Sequence, residues 1–530
     1  GAHNEDDSGG SASGKSYIYE IEQEAGNEIT APGAPTIGTA SVVDFETATV
    51  AFTAPSDDGY ATIETYTATS SPGGITGTLS QAGSGTITVT GLSGSTSYTF
   101  TVTATNSYTT GDPSSSSNTV TTPAQPIATF LRTIDNPNDY GTSANDYFGT
   151  VGGISDTYAI LSARGEDDAG GNQSGKAYIF NNSTGALLHT LDNPNDYGTS
   201  ASDTFGSAAA ISDTYSIVSA IGEGDAGGTW SGKAYIFNNS TGALVHTLDN
   251  PNDYGTSAGD TFGDRVAISD TYSIVGAYAE DDANGSSTGK AYIFNNSTGA
   301  LVHTLDNPND YGTSVDDRFG RSVGITDTYA IVGARKEDDA GGNESGKAYI
   351  FNNSTGALVH TLDNPNDHGT SASDYFGWSV AISGNYAIVG AYGESDDDGT
   401  YDSGKAYIYN VTTGALLHTL DNPNDYGTST TDQFGYSVAI SDTYAIVGAY
   451  SEREDDGSAN GVVQSGKVYI FSVSTGALLE TQNNPNAYGT SASDAFGRFV
   501  AITDDYALAG TYVEDDAGGS QSGKAYMYSL

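Results

Sequence analysis

Asp363 to Leu420 reads DNPNDHGTSASDYFGWSVAISGNYAIVGAYGESDDDGTYDSGKAYIYNVTTGALLHTL, and the chain after residue 126 consists of variations on it. Its marker, Phe376-Gly377, recurs as Phe148-Gly149, Phe205-Gly206, Phe262-Gly263, Phe319-Gly320, Phe434-Gly435 and Phe496-Gly497, at steps of 57, 57, 57, 57, 58 and 62 residues. Seven copies of one supersecondary unit in 530 residues predict a repeat array rather than a single compact core. Four strands are predicted in the unit: a, Ser379 to Ser383; b, Tyr386 to Tyr392; c, Lys405 to Asn410; d, Ala415 to Leu420. Apolar residues occupy successive positions in them, as in sheets covered on both faces, and blades packed in a ring meet that requirement.

The two ends of the array fit together. Ile127 to Ile134 (IATFLRTI) resembles strand d without the three strands that should precede it, whereas the last copy stops at Leu530 after its c strand. The first strand is expected to complete the last sheet, so that no edge stays unpaired. The expectation is therefore an all-β chain whose residues 127–530 form a seven-bladed β-propeller closed by an N-terminal strand.

Ahead of it, residues 1–19 match residues 510–528 at a constant offset of 509, including Glu5, Asp6, Asp7, Gly14, Lys15, Tyr17 and Tyr19. Residues 1–21 are accordingly read as an orphan strand pair resembling the end of a preceding propeller, with an acidic linker at 22–33. The chain begins at Gly1, not Met, and is expected to be a processed product or part of something longer. Over 34–122 the pattern changes to short alternating runs separated by turns, that of a β-sandwich. Residues 123–126 (PAQP) form a second linker.

Composition narrows the function. With 66 acidic against 17 basic residues the net charge is −49, which repels nucleic acid and anionic membranes. No apolar run approaches the ~20 residues that span a bilayer. There is no cysteine, so disulfides contribute nothing. Neither a nucleic-acid partner nor membrane insertion is expected.

Two resemblances follow from particular residues. The run GLSGSTSYTFTVTATN, Gly91 to Asn106, resembles the fibronectin type III family, in which a Leu six residues before a Tyr marks a corner capped by the hydroxyl; here these are Leu92 and Tyr98. The Trp usual in that family's second strand is missing, Val50 or Phe52 lying near its place. Phe-Gly ahead of strand a, with Val389-Gly390-Ala391 closing strand b, is similar to the FG-GAP repeat of integrin α-chain propellers and of bacterial surface proteins. That likeness implies the propeller fold, and leaves function open because such propellers serve many ends.

In a four-stranded antiparallel blade the d-to-a and b-to-c loops share one face, which is expected to collect the carboxylates and to surround the channel mouth with a ring of Asp, Asn and Tyr. The b-to-c loop Glu394, Asp396, Asp398, Asp402, with Gly399 at its turn, has the spacing of the integrin-type calcium loop. Alternate carboxylates on such a loop can converge on a hard cation. Glu280, Asp282 and Asn284, and Glu452, Glu454, Asp456 and Asn460, repeat it nearly complete. In integrin propellers, however, this loop lies between a and b, so residue roles do not transfer directly. A solvated acidic hairpin is the alternative.

Other motifs read as structure. Asn-Pro-Asn-Asp is turn chemistry, and the Asn-Asn-Ser-Thr-Gly turns at 181, 238, 295 and 352 contain sequons yet are explained by copying of one hairpin turn. Histidines 189, 246, 303, 360 and 418 repeat at one place in strand d and are expected to pack. Residues 223–230 partly resemble a sialidase Asp-box, once, without its leading Ser. No nucleophile and base stand out. The expectation is a non-enzymatic extracellular or cell-surface protein, structural or adhesive, joined to copies of itself end to end or along a fibre. A virion component such as a phage tail fibre, or a propeller binding a glycan or surface receptor, are the alternatives.

Overall fold

The computed structural model describes all residues except 1–27 and the segments 138–143, 168–171, 195–200, 225–227, 252–256, 283–284, 309–314, 340–341, 366–371, 396–401, 424–430, 455–462, 486–493 and 516–519. The strand pair expected at 1–21 and most of its linker lie outside the described residues. The chain divides into two compact units, Gly1–Pro126 and Ile127–Leu530. Among the described residues, no helix is long and apolar enough to cross a membrane.

The first unit packs a three-stranded sheet (Thr36–Val42, Thr47–Thr53, Gly85–Thr90) against a four-stranded one (Thr76–Leu79, Ile63–Ser71, Ser97–Asn106, Val120–Thr121). Alternation along Ser97–Asn106 turns Tyr98, Phe100, Val102 and Ala104 inward. The Tyr98 hydroxyl accepts a hydrogen bond from the Ser93 amide at 2.9 Å, fixing the corner beside buried Leu92. In the core, Phe52 packs on Tyr66 with ring centroids 4.2 Å apart.

The second unit is a β-propeller of seven four-stranded antiparallel sheets, one for each copy of the repeat. Their innermost strands are Phe148–Ile154, Phe205–Ile211, Arg265–Ile268, Phe319–Ile325, Ser379–Ser383, Ser437–Ile440 and Phe499–Ile502. Six sheets take their outermost strand from their own copy; in the seventh, Lys524–Ser529 pairs with Thr129–Asp135. The Lys524 ammonium meets Asp135 at 2.6 Å. Elsewhere the Lys opening strand c pairs with the Asp ending strand d, as Lys347–Asp363 at 2.6 Å and Lys405–Asp421 at 2.5 Å. Lys467 faces Asn483 in register and instead approaches Glu452 at 3.3 Å.

Strands b and c are buried almost throughout, as two-faced packing requires. Each hydrophobic core lies between neighbouring sheets. Phe319, wholly buried, sits with Tyr349 and Phe351 of its own sheet, centroids 5.9 and 6.0 Å away, against Ile274, Ile293 and Leu305 of the preceding one. Its Gly is needed for close approach: Gly320 has φ +86°, and a Cβ there would stand 2.3 Å from the Lys290 carbonyl oxygen of the preceding sheet.

Candidate functional site

The frame of each blade contains two buried polar pairs. The Glu opening the b-to-c loop is wholly buried and accepts a hydrogen bond from the strand-c Tyr: Tyr178 to Glu166 at 2.6 Å, Tyr292 to Glu280 at 2.7 Å, Tyr407 to Glu394 at 2.6 Å, Tyr469 to Glu452 at 2.7 Å. The Asp two residues before Phe-Gly accepts from the first Asn of the DNPND segment, as Asn364 to Asp374 at 2.8 Å and Asn307 to Asp317 at 2.9 Å. This bond ties the two ends of the d-to-a loop together. Burial raises the carboxyls of Asp317, Asp374 and Glu452 to about 7.

The calcium-loop expectation therefore meets a specific geometry. Glu280, Glu394 and Glu452 are wholly buried in the blade interior, each accepting from its strand-c Tyr. Asp282 closes its own hairpin, its carboxylate accepting from the Gly285 amide at 3.1 Å. Asp402 is part-exposed with φ +55°. Asp396, Asp398, Asn284, Asp456 and Asn460 lie outside the described residues, as does the side chain of Glu454. Among the described residues no three His, Asp or Glu side chains converge as metal ligands would.

The copies differ from one another at the mouth of the central channel. The residue after Phe-Gly is Thr150, Ser207, Asp264, Arg321, Trp378, Tyr436 or Arg498, and together they rim a cavity of about 330 Å³ lined by all seven innermost strands. The residue after strand b is Arg164, Ile221, Tyr278, Arg335, Tyr392, Tyr450 or Tyr512, and Tyr278, Arg335, Tyr392, Tyr450 and Tyr512 contact the residues after Phe-Gly. The residue before Phe-Gly, Arg318 or Tyr375 for example, has positive φ in every copy, 60° and 56° here. That backbone constraint is repeated while the side chain it carries changes.

Aromatic faces and guanidinium groups interleave there. Arg335 lies over Trp378 at 4.3 Å, and Arg498 over Tyr512 at 4.6 Å and Tyr436 at 5.2 Å. Trp378 meets Tyr392 edge-on at 4.5 Å, and Tyr392 stacks on Tyr375 at 5.4 Å and 11°. Asp264 pairs with Arg321 at 3.0 Å and Arg265 at 3.3 Å. Burial, with Arg321 close by, lowers the Arg265 guanidinium to about 10; burial, with Arg321 and Arg318, does the same to Arg335. The expected mouth was one of Asp, Asn and Tyr; the tyrosines are present, and arginine and Trp378 are the additions. Their signal was available in the sequence, as disagreement among copies at one position beside an invariant Phe-Gly.

The remaining motifs resolve as packing. His246 lies under Gly299 of the next blade's c-to-d turn, where an added Cβ would stand 2.8 Å from its ring, and His189, His303, His360 and His418 repeat the arrangement. Arg132 takes that place beneath Gly185, donating to the Ser183 carbonyl at 2.9 Å. In the sequon turns the second Asn is buried, and Asn182 donates to the Ser155 carbonyl at 2.7 Å. Glu223, in the segment resembling an Asp-box, accepts from Tyr235 like its equivalents, and Asp225 to Gly227 lie outside the described residues.

Comparison with known proteins agrees with this architecture. The FG-GAP repeat model matches residues 139–180, 196–237, 253–294, 310–351, 366–409, 425–471 and 486–528, and the fibronectin type III domain model matches 33–120. Both are non-catalytic module types that occur typically in extracellular proteins. No curated protein matches the chain. A crystal structure of domains from titin is similar at 28% identity over 18% of this chain and 32% of that one, with a TM-score of 0.16. The FG-GAP model covers more than half of the residues, and the chain belongs to the FG-GAP repeat family.

Proposed function

We propose that the chain is a non-enzymatic extracellular protein of adhesive or structural type, a unit of a fibre or of a tandem-repeat surface protein whose propeller ring is closed by the strand Thr129–Asp135. The observation that carries the reading is the diversity at the channel mouth: a copied frame presenting a varied rim is the design of a recognition module. Assembly with copies has its own support. Leu187, Leu244, Leu301, Leu358, Leu416 and Leu478 are exposed on the outermost strands, an apolar edge of the kind that pairs with a neighbour. In cells that make the protein, antibody against the full chain is expected to label intact cells or extracellular fibres. Labelling only after lysis would overturn the proposal.

The proposal keeps calcium as a ligand of the loop oxygens around Asp396, Asp398 and Asp402, without the buried Glu394. Millimolar calcium is then expected to raise the melting temperature by relieving carboxylate repulsion. Identical curves in calcium and in chelator would remove it.

A further inference from the structure

Six of the chain's eight arginines (164, 265, 318, 321, 335 and 498) lie at the channel mouth of a protein with net charge −49. In the lumen itself Arg265, Arg321 and Arg498 stand with Asp264 as the one carboxylate among the lining residues. Arg498 rests on tyrosine faces and makes no ion pair among the described residues. Gathering like charges in a partly desolvated channel is unfavourable unless an anion joins them. The lowered Arg265 guanidinium reports that crowding.

We propose that the mouth binds the terminal residue of an acidic saccharide, its carboxylate or sulfate received by Arg265, Arg321 and Arg498 and its ring laid against Trp378 and Tyr436. The cavity, about 330 Å³, is at the small end of ligand pockets and suits a chain end, not a duplex. The overall negative field repels a long polyanion, whereas a single terminal charge is governed by the local arginines. A sugar ring has one polar edge and one apolar C–H face, and so engages both walls at once; a peptide carboxylate engages the arginine wall alone. The proposal deepens the adhesive reading and rests on it for its setting.

The test uses the full chain with Trp230→Phe, which leaves Trp378 as the single indole reporter, titrated with 3′-sialyllactose, a glucuronate-ended trisaccharide, a sulfated disaccharide and neutral lactose. Saturable quenching by the carboxylated or sulfated sugars, with lactose at least about tenfold weaker, is expected. The carboxylated and the sulfated sugars distinguish the anion. Arg498→Gln should weaken binding about tenfold and Arg498→Lys less, with melting curves unchanged for both. No saturable binding by any acidic sugar, equal binding of lactose, or wild-type affinity in Arg498→Gln would overturn the proposal. So would a short peptide that binds as tightly through its free C-terminal carboxylate and loses binding when amidated. Sugar binding that fails in a protein labelled on intact cells leaves the adhesive reading standing. Labelling only after lysis removes that reading without touching the titration.

Discussion

The blade interior and the channel mouth evolved from the same seven copies, yet they treat side chains in opposite ways. In the interior, Glu and Tyr meet in every blade, and the same Asn donates to the same Asp. At the mouth, one position holds Thr, Ser, Asp, Arg, Trp, Tyr and Arg in turn. Desolvation explains the contrast. A buried carboxylate loses several kcal/mol if its donor is removed, so each copy is held to one solution, whereas rim residues keep partial access to water and tolerate exchange.

The comparison breaks first where a core ring is removed. Phe319→Ala should destabilise the second unit by about 3 to 5 kcal/mol in urea unfolding, since the ring is wholly buried between two blades; a loss under about 1 kcal/mol would show that the interface repacks. Tyr292→Phe keeps the ring and removes the donor to Glu280, for an expected loss of about 1.5 to 3 kcal/mol. Gly356→Ala forces a side chain onto φ +69° and against the His303 ring, at an expected 1 to 3 kcal/mol, roughly. Adding His303→Ala should recover the steric part and leave the backbone part, and complete recovery would disprove the strain.

Acidity gives a milder test. Asp317 lies near Asp338, Asp316 and Asp282, Asp374 near Asp339, and Glu452 between Asp432 and Lys467. Each folded carboxyl titrates above its unfolded value, so the folded state binds more protons. Stability is then gained as pH falls from about 7 toward 4 and is lost as pH rises through about 7. The melting temperature should be several degrees higher near pH 5.5 than near pH 8, roughly. The reverse order would mean that other groups dominate. Smallest of all, Arg498→Gln at the mouth should change stability by less than about 1 kcal/mol; a larger loss would place this arginine in the frame.

Strand positions were legible wherever the pattern was local. The predicted Ser379 to Ser383 and Lys405 to Asn410 coincide with the observed strands. Strand b ends at Ala391, one residue earlier than predicted, because Tyr392 turns into the mouth. Strand d runs from Leu416 to Asp421, because Ala415 closes the turn and Asp421 pairs with Lys405. The burial of Glu394 was not legible, because charge at the start of a loop reads as solvated. Its partner Tyr407 is 13 residues away, and only cross-strand register brings them together. The arginines and Trp378 of the mouth were missed for a different reason: a search for repeats rewards agreement, and their information lies in disagreement.

The pairing of Thr129–Asp135 with Lys524–Ser529 sets a schedule for biosynthesis. Asp135 and Lys524 are 389 residues apart, so a strand made among the first of the unit must wait on the ribosome until the last one emerges. At about 5 to 20 residues per second this lasts tens of seconds, during which that strand's edge is open to other chains. Moving the chain ends into a d-to-a loop between blades, by circular permutation, would let every sheet fold from contiguous sequence and should shorten that exposure.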